Sequence, residues 1–188
     1  YSSYSSPRPI TVALSLGIYF AERSQGCFHD HFITFSSDPR LVEIKGSDIC
    51  SKVQYCMKFN EIANTDIEKT FMLILKTAVS NDLPQSEMPE LLYIISDMEF
   101  DCCSRYDKTI YEAMKEEYKK YGYALPQIVF WNVHSFNQQY PVTENDKGTV
   151  LVSGASPNIF KLCMSNEITP YSLMMNVLNS ERYAVISA

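Results

Sequence analysis

The segment LLYIISDMEFD, residues 91–101, sets an apolar run against three carboxylates: Asp97 closes the run, and Glu99 and Asp101 follow within four positions. A run of that kind reads as a buried strand, and a carboxylate at its carboxyl end stands where ligands enter an α/β sheet. A second oxygen donor, Thr65, lies in NTDIEKTF, at a loop that enters a helix. A carboxylate and a hydroxyl are hard oxygen ligands, suited to Mg²⁺, Mn²⁺ or Ca²⁺ and ill suited to zinc. Each also has an ordinary structural role, since threonine caps helices and a strand-end aspartate caps the following turn. Around this pair, Glu99, Asp101, Ser36 in HFITFS, and His134 at the end of QIVFWNVH are candidates to surround the ion without ligating it. His29 and His31 flank Asp30 in a pattern a metal could use, but two loop histidines entering a strand read first as solvated residues.

The elements that must position these residues are legible from periodicity. Pro9 opens a helix in which Ile10, Ala13, Leu14, Gly17, Ile18 and Ala21 recur at helical spacing. HFITFS (31–36) and LVEIK (41–45), joined by SDPR, predict a hairpin. A helix over 48–59 follows, capped by Ser47 or Asp48, and then one from Thr65 or Asp66 to about Ser80. Helices are expected again over 109–121, ended by Gly122, and over 157–164 and 170–178. Between them, LLYIIS (91–96), QIVFWNV (127–133) and TVLVS (149–153) are continuous apolar strands. Strands apolar on both faces that alternate with helices predict a doubly wound, mostly parallel α/β sheet with helices on each side.

Composition narrows the function classes. The chain's 188 residues suit a single domain with one sizeable core. No apolar run is long enough to cross a bilayer, and no basic, then apolar, then small-residue leader is visible. A net charge of −6 with scattered lysines and arginines argues against direct nucleic-acid binding. Six cysteines without a CxxC pair read as reduced thiols in an intracellular, cytoplasmic protein. Cys102 and Cys103 adjoin Asp101, whose charge raises a thiol pKa and disfavours a reactive thiolate. The Met174, Met175 and Leu178 stripe reads as packing. Neither GxGxxG nor GxxxxGK occurs, so no phosphate cradle is apparent.

The order of blocks, with NTD opening a helix and IISDMEFD closing a strand, resembles a von Willebrand factor type A domain. More closely, FITFSSDPRLVEI, NTDIEKTF, LLYIISDMEFD, PQIVFWNV, LVSGASPNIFKL and TPYSLMMNVLNSERYAVI together resemble A-domain proteins related to the Ro autoantigen. That resemblance implies a Rossmann-like sheet with an adhesion-type metal site at its carboxyl edge, built from a DxSxS loop after the first strand, a threonine and an aspartate. Thr65 matches the threonine loop and Asp97 the aspartate loop. The first loop has no counterpart, because YSSYSS contains no aspartate and no apolar strand precedes it. The resemblance therefore implies the C-terminal part of a longer protein, starting just after that strand and loop, with a central strand absent and an apolar slot between LLYIIS and FITFS. It further implies weak Mg²⁺ binding, a protein partner offering a carboxylate and, by analogy, a ribonucleoprotein setting. The function expected is a non-catalytic interaction module. The alternatives are a Mg²⁺-dependent phosphoryl-transfer or hydrolytic enzyme using Asp97, and a structural module whose metal site has decayed.

Overall fold

The computed structural model describes residues 8–34, 36–59, 66–96, 108–133, 142–144, 149–154, 157–164, 169, 171–172, 174–175 and 179. Helix α1 (Pro9–Ala21) opens at a proline whose fixed φ suits a first turn, where no N–H is needed. Strands β1 (His31–Ile33) and β2 (Leu41–Glu43) form the expected antiparallel hairpin, with Phe32 opposite Val42. Helix α2 (Ile49–Cys56) is capped by Asp48: the Ser51 N–H donates to its carboxylate at 2.9 Å, and the Ser51 hydroxyl accepts from the Asp48 N–H at 3.1 Å. Helix α3 (Ile67–Ser80) then leads to β3 (Leu91–Ser96), α4 (Lys108–Lys120), β4 (Gln127–Asn132), β5 (Val142–Glu144), β6 (Thr149–Ser153) and α5 (Pro157–Met164). The helix expected over 170–178 falls largely outside the described residues.

The three apolar strands pair in parallel in the order β3, β4, β6, and β5 adds antiparallel to β6. Strand β5 is an addition to the strands named from the sequence. Alternation sorts the sheet's side chains to two helical layers. On one face Tyr93, Val129, Trp131, Val150 and Val152 pack with α1 and with Ile159 and Cys163 of α5. On the other, Ile94, Ile128 and Phe130 meet Phe71, Ile74 and Leu75 of α3 and Met114 and Tyr118 of α4. The result is a three-layer α/β/α arrangement, and its strands are apolar on both faces for that reason. Phe71, Tyr118 and Trp131 are fully buried, and side chains of this size each contribute about 1.5–3 kcal/mol on burial. Their polar atoms are satisfied: the Tyr118 hydroxyl donates to the Phe71 carbonyl and the Trp131 Nε1–H to the Gly154 carbonyl, each at 2.7 Å.

The sheet is split. Among the described residues, strands β1 and β2 form a two-stranded sheet of their own, and β3 is the terminal strand of the four-stranded one. Between β1 and β3 lies an apolar cavity of about 300 Å³, walled by Ala13, Gly17 and Ile18 of α1, Phe32 of β1, and Thr70 and Ile74 of α3.

Candidate functional site

The parallel register sets Ser96, Asn132 and Ser153 side by side, so β3, β4 and β6 end together at one edge of the sheet. The hairpin reaches the same edge. The Asp30 N–H, just before β1, donates to the carbonyl of Ala21 at the end of α1. That end of α1 also meets the start of β3, since Phe20 stacks on Tyr93 with ring centroids 4.3 Å apart, and Ser24 and Gln25 share a pocket with Pro89 and Glu90. Strand β1 therefore runs in the direction of β3, and its carboxyl end lies where Ser96 lies. Helix α1 runs the opposite way, so Pro9 starts at this edge, and Ile10 and Ile95 line one cavity.

Of the residues singled out from sequence, Ser36 is described. It is buried, its hydroxyl donates to the Asp38 carbonyl at 2.8 Å, and Thr34 Oγ1 lies 3.4 Å away. Ser36 thus holds the β1–β2 turn together. That turn is tied to α3 by Lys69, whose Nζ donates to the Ser37 carbonyl at 3.0 Å and stands 3.5 Å from the Asp66 carboxylate. Asp66 is the cap of α3: its Oδ1 accepts from the Lys69 N–H at 3.0 Å. The ordinary capping role open to Thr65 in the sequence is filled by its neighbour.

Thr65, Asp97, Glu99, Asp101 and His134 lie outside the described residues. Their described chain neighbours are Asp66, Ser96 and Val133, and Ser96 and Val133 follow parallel strands to the carboxyl edge. Asn132, Ser153 and Lys69 also belong to this edge, and sequence reasoning passed over them. The first two were hidden inside apolar strands, and a strand register that would have aligned them is not written in one strand. Lys69 has no local signal, because its tie to the Ser37 carbonyl spans 32 positions.

Other candidate groups fall elsewhere. His29 and His31 sit at the amino end of β1, where His29 Nδ1 approaches Asp30 Oδ2 at 3.2 Å and His31 Nδ1 lies 2.6 Å from the His29 carbonyl oxygen. Burial raises the thiols of Cys27 and Cys56 above their ordinary value and pushes Cys163 up to about 12, so none of these three is a thiolate nucleophile at neutral pH. Burial likewise raises the Tyr93 and Tyr118 hydroxyls. Among the described residues, no three His, Cys, Asp or Glu side chains converge on a point that could hold a metal ion. No helix among them is long and apolar enough to cross a membrane.

Comparison with known proteins gives a relative and a family. "Uncharacterized protein L728" of Acanthamoeba polyphaga mimivirus is 33% identical over 175 residues, which cover 91% of this chain and 30% of that protein. The chain thus spans less than a third of the length of that relative. No solved structure matches the chain. A family model described as "Domain of unknown function (DUF7788)" matches residues 2–182, and the chain therefore belongs to the DUF7788 family.

Proposed function

We propose that this chain is a non-catalytic interaction module of the von Willebrand A type, with a Rossmann-like sheet, that engages a protein partner's carboxylate through a divalent cation at the carboxyl edge. The hard oxygen donors suit Mg²⁺, Mn²⁺ or Ca²⁺. Thr65 and Asp97 are its ligands in this reading, and Ser36, Glu99, Asp101 and His134 stand around it. The observation that carries the reading is the convergence of chain ends. Strands β1, β3, β4 and β6 all finish at the edge where α1 begins, and Lys69 ties the start of α3 to the β1–β2 turn there. Open α/β sheets bind ligands at such an edge because the connections diverge and leave a crevice. Two oxygen ligands carrying one charge hold a divalent ion weakly, since six or more is the norm.

Isothermal calorimetry with Mn²⁺ tests the proposal. The chain should bind Mn²⁺ weakly, and Asp97→Ala should abolish the heat while leaving the melting temperature of the metal-free protein within about 2–4 °C, the shift of a change worth roughly 1 kcal/mol. Binding that survives both Asp97→Ala and Thr65→Ala would overturn the assignment.

A further inference from the structure

We infer that the outer edge of β2 is a self-complementary interface, and that its occupant is β2 of a second copy of this chain, paired antiparallel across a two-fold axis. The hairpin alone carries it, independently of the metal-site reading.

The hydrogen bonds of the hairpin decide which peptide groups face outward. The Ile44 N–H donates to the Asp30 carbonyl at 2.7 Å and the Thr34 N–H to the Arg40 carbonyl at 3.0 Å, and Phe32 stands opposite Val42. In an antiparallel ladder such bonds fall on alternate residues, so the peptide groups of residues 40, 42 and 44 turn toward β1. Those of Leu41, Glu43 and Lys45 turn the other way. Among the described residues, no strand pairs with this outward row. A two-stranded sheet is marginal by itself, and pairing two hairpins edge to edge would make a four-stranded sheet in the order β1, β2, β2, β1.

Side chains sort by the same alternation. Ile44 is buried with Ile18 and Ala21 of α1 and Cys56 of α2. Leu41, Glu43 and Lys45 belong to the opposite face, where Leu41 packs against the cluster that includes Phe71 and Ile74 of α3. Glu43 and Lys45 are exposed, and neither has an ion-pair partner among the described residues. An edge blunted by charges of one sign repels its own copy. This edge instead carries one charge of each sign, two residues apart on one face.

That spacing selects one register. With the two-fold axis at Ile44, Glu43 lies opposite Lys45 of the second copy, and Lys45 opposite its Glu43, one such pair on each side of the axis. Both residues turn their peptide groups outward, so the same register makes them the hydrogen-bonded pairs: the Glu43 N–H donates to the Lys45 carbonyl across the axis, and the Lys45 N–H to the Glu43 carbonyl. An axis at Glu43 or at Lys45 would set a charge against itself. An axis at Val42 would leave both charges unpaired. The backbone phase and the charge pattern therefore point to the same pairing.

Sedimentation velocity of the 188-residue chain from about 10 µM to about 1 mM, the range of weak interfaces, tests it. The chain should be monomeric at the lower end and dimeric at the upper. Glu43→Lys and Lys45→Glu, each of which sets like charges opposite one another on both sides of the axis, should weaken association by about tenfold or more. The double variant Glu43→Lys with Lys45→Glu re-forms both pairs with the signs exchanged, and should return to within about threefold of the parent. Glu43→Pro removes an outward N–H and none that bonds β1, so it should abolish the dimer while shifting the melting temperature by no more than about 2–4 °C. A chain that stays monomeric at the highest concentration, a dimer indifferent to the single reversals, or a double variant as weak as the singles would each overturn the proposal. If Glu43→Pro fails to fold, the charge series decides alone.

Discussion

Asp66 and Thr65 are adjacent, both belong to the residue types that cap helices, and the structure gives the capping bond to Asp66. Asp66→Ala should therefore lower stability by about 1 kcal/mol in urea denaturation, whereas Thr65→Ala should change it by less than about 0.5 kcal/mol. Equal costs would mean that Thr65 has a structural role after all. Sequence could not choose between the two, because a cap is defined by which side chain reaches the third amide of the helix, and either can. The same limit applies to Ser36. Its position near a strand end was legible, but its burial and its bond to the Asp38 carbonyl depend on how the Ser37–Arg40 turn folds back.

At the scale of elements, what was legible had local causes. Gly122 ends α4 at φ +80°, in the left-handed region that glycine enters freely, and the Tyr123 N–H closes the turn on the Tyr118 carbonyl at 3.0 Å. The strands LLYIIS and TVLVS were found to the residue because burial on both faces leaves no polar position to blur their limits. Strand β5 was missed since three residues pairing at an edge carry no periodicity of their own. The tie between α1 and α2 was also invisible, being a contact over thirty positions: Lys52 Nζ donates to Glu22 Oε1 at 2.6 Å. That bond holds the Glu22 carboxyl below its ordinary value of 4.5 and the Lys52 ammonium above its ordinary 10.5. Its contribution is fully present between those two values. It is lost as pH falls through the depressed carboxyl value, and again as pH rises through the elevated ammonium value. Lys52→Met should lower the urea midpoint at pH 7, less so in high salt, and the difference from the parent should vanish near pH 2. A difference that persists at that pH would assign the effect to packing of the lysine stem.

At the scale of the molecule, the buried residues among those described fall into three clusters, and the smallest joins Ile18 and Ala21 of α1 to Ile44 after β2 and Cys56 of α2. Among the described residues, no strand pairing connects that part with the four-stranded sheet. The hairpin should therefore open before the sheet does. In native-state hydrogen exchange, the amides of Phe32 and Val42 should open at lower urea than those of Val129 and Phe130, and coincident opening would show one cooperative unit. The α/β class and the helical layers on both faces were readable because they follow from where apolar residues recur. The division of the sheet among the described residues has no local signal, since no single segment states which strands lie beside it.

The only indole in the chain, that of Trp131, is sealed beneath α1, 6.3 Å from the Phe20 ring, and its Nε1–H holds the carbonyl of Gly154. Gly154 follows β6 directly at the carboxyl edge and adopts φ +95°. The molecule thereby contains a fluorophore wired to the rim of its own sheet. A blue-shifted emission band should mark the folded state, and a ligand that displaces the Gly154 carbonyl should alter its intensity, so that events at the rim become visible in light emitted from the core without any label.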